Sequence, residues 1–198
     1  MGFTLVELMI TLVILGILMS IGTQFYREWS IRTNIRVTTE SLVSGIVSAR
    51  NFALQRNERT LFSMTSNVAA NCALDNTSGS WVISLDAPEG QCNATPSDIA
   101  APRILQLRSG RESRGDVVIN ARNAANAAAN QITFTGLGRV QAMGTNPIAT
   151  INVSYAANAG TCQADGGNIR CLRILIGPGG EARVCDPAVA AANDPRAC

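Results

Sequence analysis

The sequence predicts an α+β chain: one long N-terminal helix packed against an antiparallel β-sheet head. Three observations carry this. From Phe3 to Tyr26 the only charged side chain is Glu7. From residue 31 to 59 the apolar residues Ile31, Ile35, Leu42, Ile46, Ala49 and Ala53 recur at spacings of three, four and seven, one face of a 3.6-residue period. After Thr60 the chain breaks into short β-rich runs separated by turn chemistry.

The first run is long enough for a helix across a hydrocarbon core of ~30 Å, which needs about 20 residues. Lipid leaves backbone groups no outside partner, so the run must be helical there. Arg27 and Glu28 end it, with Tyr26 and Trp29 suited to an interface. No Pro interrupts residues 31–59, so a single helix is expected from residue 3 to about 58. Its first half is apolar all round and wants lipid or other helices. Its second half is amphipathic, with Arg32, Arg36, Glu40, Arg50 and Arg56 largely off the apolar face.

The strands are expected at 60–64, 81–85, 103–107, 116–120, 131–135, 148–154, 171–176 and 182–185. Segment 121–130, ARNAANAAAN, is a short helix or a mobile loop on composition. The tail DPAVAAANDPRAC reads as a loop held by its final Cys.

Composition excludes several chemistries. The chain has 198 residues, a net charge of +2 and no His, and all 16 basic residues are Arg. Without His, Ser-His-Asp and Cys-His machinery cannot be built from this chain. Asp86, Glu89 and Asp116 are available carboxylates, but in turn-rich surroundings they read as solvated. No nucleophile elbow, P-loop or metal-ligand spacing occurs. No enzyme, cofactor or metal is expected.

Six Cys stand at Cys72, Cys92, Cys162, Cys171, Cys185 and Cys198. An even set outside the apolar start suits disulfides in an oxidising compartment. Six Cys allow 15 full pairings. The nearest-neighbour set 72–92, 162–171 and 185–198 is the expectation, and sequence alone does not select it.

The opening Gly2-Phe3-Thr4-Leu5-Val6-Glu7, followed by an apolar run, resembles the processing site of type IV pilins and pseudopilins. The resemblance implies the type IV pilin fold. It implies cleavage between Gly2 and Phe3 by a prepilin peptidase, then N-methylation of Phe3. Glu7 becomes the fifth residue of the mature chain. A carboxylate in lipid is costly and marks function by default. Glu7 is therefore expected to pair with the N-terminal amine of a neighbouring subunit during assembly. The family's leader carries basic residues before the Gly. Here Met1 alone precedes it, which implies a start that is truncated or assigned late. Gly22 and Gln24 stand where many major pilins have Pro.

SARNFALQRNERTLFSM (48–64), GSWVISLD (79–86) and RCLRILIGPGGEARVCDP (170–187) resemble the GspH/FimT-like branch, closest to FimT/FimU-like minor pilins. Some members bind DNA through a Gly-Arg-x-Arg motif in the last hairpin. The matching positions are Gly180-Glu181-Ala182-Arg183, so a Glu replaces the first Arg. Arg183, Arg173 and Arg170 are the candidate DNA-binding residues, with Arg196 near them. Arg108, Arg111 and Arg114 form a second basic cluster.

The implied organisation is a leader remnant 1–2, a transmembrane and assembly half 3–28, an amphipathic half 29–59, and a periplasmic head 60–198. The implied function is a structural minor pilin that helps initiate or cap a type IV pilus, serving adhesion, twitching motility or DNA uptake. The alternatives are a type II secretion minor pseudopilin and a DNA-binding pilus-tip receptor. Expected partners are minor and major pilins, the prepilin peptidase, the inner membrane and DNA. The expected location is the bacterial inner membrane, head in the periplasm, and the pilus.

Overall fold

The computed structural model describes residues 2, 4–110, 117–141, 146–156, 161–191 and 193–198, with the backbone alone for 20–25. Phe3, Arg111, Arg114 and Asp116 lie outside the described residues.

Helix α1 runs Leu5–Arg56, 52 residues, or about 78 Å at 1.5 Å per residue. Thr4 caps its start. Its hydroxyl accepts from the Glu7 N–H, and the Glu7 carboxylate accepts from Thr4 in return. This reciprocal capping box satisfies two donors that the first helical turn leaves unpaired. Asn57 ends the helix in the left-handed conformation, φ 50°, donating its N–H to the Ala53 carbonyl.

The two halves of α1 differ as their compositions require. Every large apolar side chain described from Leu5 to Met19 is more than half exposed. The stripe Ile31, Ile35, Leu42, Ile46, Ala49 and Ala53 is at most 4% exposed. Among the described residues no helix is long and apolar enough to cross a membrane. The span expected over 3–28 includes residue 3 and the side chains of 20–25, which lie outside the described residues.

Eight strands follow: β1 Thr60–Thr65, β2 Ser80–Ser84, β3 Ile104–Arg108, β4 Val117–Arg122, β5 Gln131–Phe134, β6 Thr150–Tyr155, β7 Leu172–Ile176 and β8 Ala182–Cys185. They form two four-stranded sheets, ordered β3-β2-β1-β5 and β4-β6-β7-β8. All pairings are antiparallel. Both sheets share the one apolar stripe of α1. Phe62, Met64, Trp81 and Ile83 meet it from the first sheet, and Ile151, Val153, Ile174 and Ile176 belong to the same core from the second.

The first sheet is buried on both faces. Its far face forms a second small core of Cys72, Val82, Cys92 and Ile104, joined by Val68, Ala94 and Leu107. The Cys72–Cys92 disulfide ties the covering loop across this core. The other bridges are Cys162–Cys171 and Cys185–Cys198. Each joins a cysteine to its next neighbour in the chain.

Segment 121–130 is neither helix nor loose loop. Arg122 ends β4, and the Asn123 side chain accepts from the N–H groups of Ala125 and Ala127. Asn126 takes φ 61°, and Ala128 comes back opposite Arg122. Asn favours such closed turns because its side chain competes with the helical backbone.

Two glycines let backbones approach. A Cβ on Gly45 of α1 would lie 2.8 Å from both Phe62 Cε2 and Trp81 Cε2. Gly180 takes φ +82°, and a Cβ there would run into the Gly138 carbonyl and the Phe134 ring. The β7–β8 turn thus seats on the turn after β5, where Val140 donates to the Pro178 carbonyl at 3.1 Å.

Gly45→Ala tests this packing. Alanine in mid-helix is worth about 1 kcal/mol over glycine, whereas forcing extra volume into a packed core costs about 1–3 kcal/mol. The expected outcome is a net loss of stability of about 1 kcal/mol by denaturant titration. A more stable variant would show that Phe62 and Trp81 do not bear on this helix.

Candidate functional site

Two surfaces carry the candidate residues. The first is the N-terminal turn of α1. Glu7 Oε2 lies 3.2 Å from both Thr4 N and Thr4 Oγ1, and Glu7 N donates to Thr4 Oγ1 at 3.3 Å. The carboxylate therefore has partners within its own chain, on an exposed turn. Beyond it, Thr11 Oγ1 donates back to the Leu8 carbonyl at 2.9 Å, hiding its hydroxyl among apolar neighbours. Tyr26 and Trp29 are exposed, with ring centroids 6.1 Å apart. The motif Thr4-x-x-Glu7 is readable as a capping box. The intermolecular partner expected for Glu7 lies beyond a single chain, within which Thr4 is its partner.

The second surface is the β7–β8 hairpin. Arg173 stands opposite Cys185, and Arg183 opposite Leu175. Ile174 and Ile176 alternate with them into the core, so both arginines point outward on one face. Arg173 Nε donates to Asn152 Oδ1 at 2.6 Å, and Arg183 Nη1 to the Ala197 carbonyl at 3.2 Å.

Arg170 does not join them. It lies beside Leu172, Val184 and the Arg32–Glu40 stretch of α1, on the helix side of the sheet. Its Nε is 2.7 Å from Asp186 Oδ2, a carboxylate only 6% exposed. Strand alternation separates residue 170 from 173, and the ion pair occupies the guanidinium. Of the three candidates, Arg173 and Arg183 share one face and Arg170 lies apart from them. Arg196 is also taken up, with Nη2 at 2.6 Å and Nε at 3.0 Å from the Asp194 carboxylate.

Asp86 is likewise structural. Arg103 holds it by two hydrogen bonds of 2.9 Å and reaches Glu58 at 3.1 Å. The hydrogen bonds from Arg103 lower the Asp86 carboxyl below its usual range. Arg103 thus ties the Asp86 loop to Glu58 at the end of α1.

An unpartnered apolar half-helix running into a β head, behind a Gly-x-Thr-Leu-Val-Glu start, defines the class of pilin-like structural subunits. The profile of the prokaryotic N-terminal methylation motif matches residues 2–23. The chain belongs to the family described as type II transport protein GspH, whose profile matches residues 38–180. This is a family of minor pilins and pseudopilins, structural rather than enzymatic. No curated protein matches the chain. Two crystal forms of the type IV minor pilin FimU of Pseudomonas aeruginosa are similar to it at 16% identity. In space group P21 the TM-score is 0.48, covering 83% of this chain and 97% of FimU. In P65 it is 0.46, covering 79% and 97%.

The Arg196 side chain, then its backbone N–H, hold the Asp194 carboxyl down to about 2. A folded value below the ordinary ~3.9 means that this contact stabilises fully above pH ~4 and fades as pH falls toward 2. Asp194→Asn should flatten that part of the pH–stability curve, measured as denaturant midpoint against pH. An unchanged acid limb would show that the pair adds nothing to folding.

Proposed function

We propose that this chain is a structural minor pilin that helps initiate or cap a type IV pilus, held in the inner membrane by residues 3–28 until assembly. The observation that carries this is the first half of α1. Its apolar side chains from Leu5 to Met19 are exposed on all sides, and nothing among the described residues covers them. Burial of such surface is worth about 25 cal/mol per Å², so the half-helix favours lipid first and other helices later. The match to the methylation motif supports cleavage after Gly2 and modification at Phe3. The disulfides fit a head outside the reducing cytoplasm. A type II secretion minor pseudopilin is the second reading. The description of the matched family favours it, and the same assembly physics serves both.

Glu7 is the assembly residue in this proposal. In a filament core its carboxylate leaves water, and an unpaired buried charge is strongly unfavourable. A neighbouring subunit's Phe3 amine supplies the countercharge and sets the axial stagger. Glu7→Ala removes both the charge and the cap, whereas Glu7→Gln keeps a capping side chain and removes only the charge. Both variants should insert into the membrane normally and both should be depleted from sheared pili, by quantitative immunoblot. Wild-type incorporation of Glu7→Gln would show that Glu7 acts only as a helix cap. The filament that carries the chain, pilus or secretion pseudopilus, separates the two readings.

A further inference from the structure

We propose that the cleft between the outward face of the second sheet and the C-terminal loop receives a single carboxylate, an Asp or Glu side chain on an acidic segment of a partner protein. The cleft encloses about 720 Å³, and Arg173, Arg183, Pro187, Val189, Ala190 and Asp194 line it. That volume suits one peptide side chain and its flanking backbone. This inference is independent of the role of Glu7.

The charge pattern selects the ligand. Arg32, Arg36, Arg56, Arg103, Arg170 and Arg196 each have a carboxylate oxygen within 3.5 Å. Among the described residues Arg173 and Arg183 have none; nor have Arg27, Arg50, Arg59, Arg122 and Arg139, but only Arg173 and Arg183 line this cleft. Each spends one N–H on a neutral acceptor, Asn152 Oδ1 or the Ala197 carbonyl. Those bonds aim the guanidinium and leave its other donors available. Arg173 and Arg183 are diagonal neighbours on adjacent strands, about 7 Å apart at the backbone. One carboxylate, with two oxygens and about four lone pairs, reaches both. Charge-assisted bonds of this kind are roughly twice as strong as neutral ones.

The cleft is built rather than incidental. Cys185–Cys198 closes the loop, and Asp186 N donates to the Arg196 carbonyl at 2.7 Å. Asp194 in the wall is already neutralised by Arg196, so it does not compete for Arg173 and Arg183; Cys198 also lines the cleft. Pro187, Val189 and Ala190 line the cleft beside the arginines.

A nucleic-acid backbone fits less well. Phosphate binding grows with the number of cations engaged, and this face offers two. Glu181 stands two residues from Arg183, and the whole chain carries only +2. A discrete carboxylate uses two arginines fully, whereas a polymer of phosphates does not.

The full-length chain in detergent micelles tests the proposal, read through the Nε–H signals of Arg173 and Arg183 by NMR. Three probes are titrated: acetyl-Ala-Glu-Ala-amide, its Gln counterpart, and a hexathymidylate. The Glu peptide should shift both signals and bind about tenfold more tightly than the Gln peptide. Arg173→Gln and Arg183→Gln should each remove that preference, while Arg36→Gln on the helix side should keep it. Equal binding of the Glu and Gln peptides would overturn the proposal. So would shifts caused by the oligonucleotide alone, or no shift with any probe.

Discussion

The burial of one helical stripe holds the molecule together. Ile31, Ile35, Leu42, Ile46, Ala49 and Ala53 vanish beneath two sheets that pair no strands with each other. Each sheet alone would leave a face open. The helix supplies the common floor, and the tight approach at Gly45 lets Trp81 and Phe62 sit directly on its backbone. Trp81 Nε1 then finds the Ser41 hydroxyl at 3.3 Å, so the largest buried ring keeps its polar atom satisfied. A second tie joins the sheets at the far end, where Arg50 reaches the Gly138 carbonyl at 3.1 Å next to Gly180.

The same helix carries the functional tension. Where its stripe ends, the chain stops providing cover, yet the backbone continues as one helix to Leu5. The head and the exposed apolar end are therefore joined by one continuous helix. The capping box gives the end a way to wait. Thr4 holds the Glu7 carboxylate by two hydrogen bonds, so the charge has partners within its own chain in the absence of the proposed neighbour. These are bonds of 3.2 Å to neutral donors, and a charged amine in a water-poor filament core would compete well for the same oxygens.

Much of this was legible in the sequence because it rests on periodicity. The apolar stripe followed from spacing alone, and the eight strands followed from β-rich runs between turns. What escaped was set by tertiary placement. Two sheets rather than one arise because β5 leaves β4 to pair with β1, a choice no local pattern encodes. Arg170 and Arg173 are three residues apart, yet alternation and the buried Asp186 put them on opposite sides. ARNAANAAAN misled by its alanines, whereas its asparagines closed the turn. Thr4 was visible and unread, since the capping box T-x-x-E is as local a signal as any in the chain.

In the assembly proposed above, the apolar side chains of Leu5–Met19, exposed among the described residues, are covered first by lipid, then by neighbouring helices. A photo-reactive residue in place of Leu12 tests it directly. Crosslinks to lipid are predicted in membranes, and crosslinks to another subunit's N-terminal helix in filaments. Crosslinks to the chain's own head in either setting would contradict the account.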